Sequence, residues 1–124
     1  MTVQRIVTWV LSGLLALAFF GAGLSKLTGQ VMMVHEFSLF GFPLWFMYVT
    51  GVIEIAGAVL VLVPRFAYVG AAALVCVTTG AVFSHLTHGQ AGMIGLPLVL
   101  LILAAVVGTL RNWGQASRLT VRNA

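Results

Sequence analysis

Four stretches of this chain run for close to a membrane's thickness with almost no charge: Ile6 to Ser25, Leu44 to Val63, Phe66 to Ser84 and Ala91 to Leu110, interrupted only by Glu54. An α-helix rises ~1.5 Å per residue, so each run approaches the ~20 residues that cross a ~30 Å hydrocarbon layer. A β-barrel would show short segments of alternating polarity, and these runs show none. In lipid, helices are the open-chain way to satisfy every backbone group. Composition agrees: 61% of the 124 residues are hydrophobic and 6% charged. Six basic and two acidic side chains cannot cover a soluble domain in water, and a chain this apolar is not disordered. Cys76, the sole cysteine, sits inside an apolar run, which excludes a disulfide scaffold and thiol–disulfide catalysis within this chain. The expected fold is all-α: one domain over residues 1–124, an antiparallel four-transmembrane-helix bundle with spans at 5–26, 44–63, 66–86 and 91–111.

The breaks between spans have physical causes. Gly41 and Pro43 precede the second span, Pro64 stops it, and Gly89 and Gly92 loosen the third connection. The very short second turn makes spans two and three antiparallel neighbours. Arg5, the apolar run and Ala16-Leu17-Ala18 have the outline of a secretory signal, but the uncharged run outlasts a usual signal core and reads as a span.

The net charge of +4 carries topology rather than nucleic-acid binding, because the basic residues are dispersed and form no stripe with interleaved aromatics. With four spans, Arg5, Arg65, Arg111, Arg118 and Arg122 share one side and Lys26 lies on the other. The positive-inside rule then places both termini in the cytoplasm of a cell (inner) membrane protein, with Trp9, Trp45 and Trp113 as interface anchors. Small residues permit close helix approach. Ala72, Cys76, Gly80 and Ser84 form one stripe on the third span, Gly51, Gly57 and Ala58 surround Glu54, and Gly21/Ser25 and Ala18/Ala22 lie on the first.

Glu54 is the most informative position. It stands ten residues from both Leu44 and Pro64, near the midplane. A carboxylate there costs about 2.5 kcal/mol or more unless it faces the bundle interior, is paired or is protonated. A proton or ligand site and a packing hydrogen bond are both open readings. Lys26 ends the first span and either snorkels to the interface or pairs with Glu54. Straight helices of equal depth would leave the two ~10–15 Å apart, so a pairing needs a tilt, a shifted boundary or a bridging water. His85 and His88 share a helical face at the end of the third span. With His35 or Glu54 they could complete a metal set, but no Cys partner or HExxH pattern accompanies them, and the bland reading is hydrogen-bonding at the interface.

The first outer loop, Leu27 to Pro43, carries Val31, Met32, Met33, Val34, Phe37, Leu39, Phe40 and Phe42. That is too apolar for a solvated loop, so a short interfacial or re-entrant helix is expected. Phe37, Phe40, Phe42 and Trp45 could roof a pocket holding Lys26, Glu54 and His85; an interface segment with nothing beneath it is the alternative.

The order of these features resembles the DoxX-like family of small four-helix membrane proteins. The matching pieces are Gly23-Leu24-Ser25-Lys26-Leu27, Gly41-Phe42-Pro43, Gly51-Val52-Ile53-Glu54-Ile55-Ala56-Gly57, Pro64-Arg65 and Gly80-Ala81-Val82-Phe83-Ser84-His85. The resemblance covers the chain from Ile6 to Arg111, the second half of the fourth span matching only in hydropathy; the basic tail from Arg118 has no counterpart. The resemblance implies association with respiratory or sulfur redox complexes, as in a thiosulfate:quinone oxidoreductase subunit, or with redox homeostasis or membrane-protein assembly. The shared Lys, Glu and His positions look like Lys26, Glu54 and His85, and no catalytic role follows for them.

Three function classes compete. The first is an accessory subunit or assembly factor of a quinone-linked membrane redox complex. Its partners would be the bilayer, membrane or membrane-associated oxidoreductase subunits and a second copy of the chain. Quinone is the small molecule such a role suggests, with no metal or haem expected. The second is a small proton-coupled transporter or channel using Glu54. A stand-alone enzyme ranks last, since no nucleophile–base pair, nucleotide loop or metal signature is present.

Overall fold

The computed structural model describes residues 2–123, with side chains described as far as Arg111; Trp113, Arg118 and Arg122 lie beyond the described side chains. The elements are α1 (Val3–Leu27), α2 (Val31–Leu39), α3 (Leu44–Val61), α4 (Ala67–Thr87), a 3-10 turn (Ala91–Met93) and α5 (Gly95–Asn123). No strand occurs among the described residues. Three helices, α1, α3 and α4, are long and apolar enough to cross a membrane, and α5 has a shorter apolar stretch over Gly95–Arg111.

The boundaries follow local chemistry. Thr2 caps α1, its hydroxyl accepting from the Arg5 N–H at 3.2 Å. The loop after α1 folds into α2, as its apolar composition predicted. The expected second span to Val63 ends two residues early at Val61, because Pro64 disfavours helical backbone in the residue before it. The expected fourth span from Ala91 starts as a helix only at Gly95. Pro97 has no N–H to give to a helix interior, so the helix begins just before it, and the residues from Ala91 to Met93 make a 3-10 turn instead.

Glycine contacts set the helix crossings. Where α1 meets α3, a Cβ on Gly23 would stand 2.5 Å from Ile55 Cγ1 and 2.8 Å from the Gly51 carbonyl oxygen. Where α3 meets α4, a Cβ on Gly70 would stand 2.8 Å from the Gly57 carbonyl oxygen and from Leu60 Cβ. These contacts correct the expected stripe on the third span. Ala72, Cys76 and Gly80 are exposed and only Ser84 of the four is buried; the packed face is Ala67, Gly70, Ala71, Leu74 and Thr78. Both sets repeat at helical spacing; only close approach to α3 selects between them.

α1 packs on α3, α3 on α4, α4 on α5, and α5 closes back on α1. Leu15, Ala16 and Phe19 of α1, Ala58 and Val61 of α3, Ala71 and Leu74 of α4, and Ala104 and Val107 of α5 form the core. This core lies toward the α3–α4 turn, because its α3 members follow Gly57 and its α4 members precede Thr78. Outside it, Leu17, Val69, Phe83 and Val99 are exposed apolar side chains that fit contact with lipid.

Candidate functional site

Glu54 sits three residues after Gly51 and three before Gly57 on α3. Residues three apart on an α-helix differ by about 60° around the axis. Gly51 faces α1 and Gly57 faces α4. Glu54 therefore points into the wedge between those two helices, and its side chain is 3% exposed.

Lys26 enters the same wedge from α1. Its Nζ lies 2.9 Å from Glu54 Oε1, and its side chain is 13% exposed. The depth gap expected from the sequence disappears because the two helices do not end at one level. A Cβ on Gly51 would stand 3.0 Å from Lys26 Cβ, so Lys26 is level with Gly51. Gly51 lies about 10 Å along α3 from Leu44, and Glu54 only about 4.5 Å further. Helical side chains lean toward their own N-terminus. Since α1 and α3 run in opposite directions here, Lys26 and Glu54 lean toward each other. A direct ion pair forms and needs no bridging water.

The pair is incompletely satisfied. Glu54 Oε2 is buried and has no hydrogen-bond partner among the described residues. The hydroxyls of Thr8, Ser12 and Thr78, also buried, each donate to a carbonyl of their own helix: Gln4, Thr8 and Leu74 respectively. Glu54 has no such local outlet, because a carboxylate offers no hydrogen to a helical carbonyl.

His85 belongs to a second cluster. Its Nε2 lies 2.9 Å from Glu36 Oε1, and its Nδ1 lies 2.9 Å from Gln90 Oε1. Gly89, at φ +72, makes this possible: the left-handed turn sends the Gln90 N–H to the His85 carbonyl at 2.8 Å and folds the Gln90 side chain back over the ring. Phe40 packs edge-on against His85 at 5.1 Å between centroids and, tilted by 47°, against His88 at 5.0 Å. The His88 ring nitrogen Nδ1 lies 2.8 Å from the Ser84 carbonyl.

The expected residues are thus divided between two clusters. Lys26 and Glu54 meet each other, whereas His85 meets Glu36, which the sequence reading did not single out. Among the described residues no three His, Cys, Asp or Glu side chains gather as a metal site requires. Phe37, Phe42 and Phe46 cluster at centroid distances of 6.1, 6.3 and 4.9 Å, and Phe40 joins through Phe42 at 6.2 Å. The left-handed turn at Gly41, φ +76, sends the Phe42 N–H to the Phe37 carbonyl and brings the two rings together. Trp45, expected in this roof, is 64% exposed and touches only its edge through Phe46 at 6.0 Å. None of the residues of α2 is buried; Glu36 and the phenylalanines join it to the bundle.

Apolar spanning helices around a buried ion pair define a small integral membrane protein in contact with the bilayer. Residues 10–107 match the DoxX-like family, and the chain belongs to it. A similar protein is YdgD of Bacillus subtilis (strain 168), an uncharacterized protein, 32% identical over 84 residues that cover 64% of this chain and 74% of YdgD. No solved structure matches the chain.

Proposed function

We propose that this protein is a four-span inner-membrane protein, a single domain with both termini in the cytoplasm, that serves as an accessory subunit or assembly factor of a quinone-linked redox complex. Lys26, Glu54 and His85 are the proposed ligand or proton-relay residues, under Phe37, Phe40 and Phe42. Family membership supports the membrane role, and the apolar stretch Gly95–Arg111, about 25 Å long as a helix, supports a fourth span. Lys26 is neutralised within the bundle by Glu54, which leaves Arg5, Arg65, Arg111, Arg118 and Arg122 as the cations that set topology.

The observation that carries the redox-accessory reading is the buried Lys26–Glu54 pair among apolar helices, the general form of a site for an apolar ligand with a polar head. It also weighs against a transporter. A proton-carrying acid must exchange with water, and Glu54 is held by an ammonium at 2.9 Å. Purification from its native membrane in mild detergent, followed by native mass spectrometry, tests the proposal. Co-purification of an oxidoreductase subunit or a quinone supports it; a bare monomer refutes it. Proteoliposome proton flux abolished by Glu54→Gln would favour the transporter instead.

A further inference from the structure

Glu54 Oε2 is a buried acceptor without a donor, beside an ammonium that has hydrogens to spare. Lys26 Nζ carries three N–H donors, and among the described residues Glu54 Oε1 is its one partner. An unfilled hydrogen bond on a buried charged oxygen is costly, so native structures rarely keep one without a reason. Close helix crossings at Gly51 and Gly57 fix the backbone that carries Glu54, and no described side chain offers Oε2 a donor.

The chemistry that fits is narrow. An anionic head would set a second negative charge against the unpaired carboxylate oxygen. A ketone or ether would accept from Lys26 and leave Oε2 as it is. An ammonium head would compete with Lys26. A hydroxyl does both jobs: its oxygen accepts from Lys26 Nζ and its hydrogen goes to Glu54 Oε2. The approach is through Lys26, whose side chain is partly exposed while Glu54 is sealed. On that side Leu27, which packs near Gly51, is a partly exposed apolar side chain, and Phe42 and Phe46 lie with ring centroids 4.9 Å apart near the start of α3.

We propose that the Lys26–Glu54 pair is a binding site for a neutral, membrane-soluble hydroxyl compound, whose O–H bridges the ammonium and the free carboxylate oxygen. The inference deepens the ligand reading proposed above and rests on it. Two sources supply this chemistry: a phenol, as in the reduced form of a quinone, and a lipid alcohol, as in diacylglycerol.

The test uses the full-length protein in detergent, its thermal unfolding followed with three probes: decyl hydroquinone, its dimethyl ether, and dioctanoylglycerol. A hydroxyl probe that binds raises the Tm by about 10 °C at a hundredfold excess over its Kd. The dimethyl ether, which keeps the ring, the tail and the oxygen acceptors and loses the O–H hydrogens, should bind at least tenfold more weakly. Glu54→Leu should remove the shift; where that variant does not fold, the ether comparison on the unaltered protein decides alone. A shift with decyl hydroquinone supports both the site and the quinone link. A shift with dioctanoylglycerol alone supports the site and counts against the quinone link. Equal shifts with the ether and the hydroquinone, or none with either hydroxyl probe, overturn the site; the oxidoreductase partner tested by native mass spectrometry would remain a separate result.

Discussion

Removing Lys26 should damage this protein more than removing Glu54. In Lys26→Met, Oε1 loses its donor and Oε2 has none already, so a 3%-exposed carboxylate is left without a hydrogen bond. Stripping one partner from a buried pair costs about 3–5 kcal/mol. Helices separated in a bilayer also find partners, which lowers the observed value toward about 3 kcal/mol. In Glu54→Leu the remaining ammonium sits on a flexible stem that is 13% exposed. It can reach out toward the interface, so the cost should be about 1 kcal/mol. Replacing both residues at once removes the charge altogether and should fall near wild type. The measurement is a double-mutant cycle by reversible denaturant unfolding in mixed micelles. A coupling of about 2 kcal/mol or more, with the lysine variant the worse of the two, is expected. Equal costs for the two single variants, or coupling below about 0.5 kcal/mol, would refute the picture of a sealed acid and a partly open base.

Other outcomes follow from the same contacts. Gly70→Val sets side-chain atoms against backbone of α3, where even a Cβ would be 2.8 Å from Val61 N, and should cost about 3 kcal/mol or prevent folding; Gly80→Ala, with nothing within 4 Å, should be neutral or slightly stabilising. Thermal melts of the two variants separate them. Glu36→Gln weakens the 2.9 Å contact to His85 and should speed hydrogen exchange over Val31–Leu39 while leaving α3 unchanged. Cys76 is exposed on the outer face of a spanning helix, so a charged, impermeant maleimide should leave it unlabelled in intact membranes and label it once the protein is unfolded in SDS.

Much of the fold could be read from charge alone. Uncharged runs located α1, α3 and α4, and the apolar loop pointed to α2. What the runs could not show was how far each helix is displaced along its neighbour. Lys26 and Leu44 both looked like outer ends, yet Lys26 lies opposite Gly51, and this offset creates the ion pair. The small-residue stripe on α4 had the right period and the wrong phase, since periodicity does not say which face meets a partner. Glu36 was passed over within an apolar loop. The signal was available: the chain has two acidic residues in all, and an acid on a membrane-facing segment needs a partner as much as one at the midplane does. The turn residues that position Gln90 and Phe42, Gly89 and Gly41, were legible only as breaks, because the direction of a turn depends on its dihedral angles.

The spacing of Gly51, Glu54 and Gly57 leaves little room for drift. Deleting or inserting one residue between the first glycine and the acid would rotate the carboxylate by about 100° relative to the α1 crossing. A shift between the acid and the second glycine would rotate it against the α4 crossing instead. In either case the charge would swing toward the acyl chains, and realigning it would break a glycine contact. Length changes should therefore be tolerated in the connections around α2 and purged within this seven-residue stretch of α3.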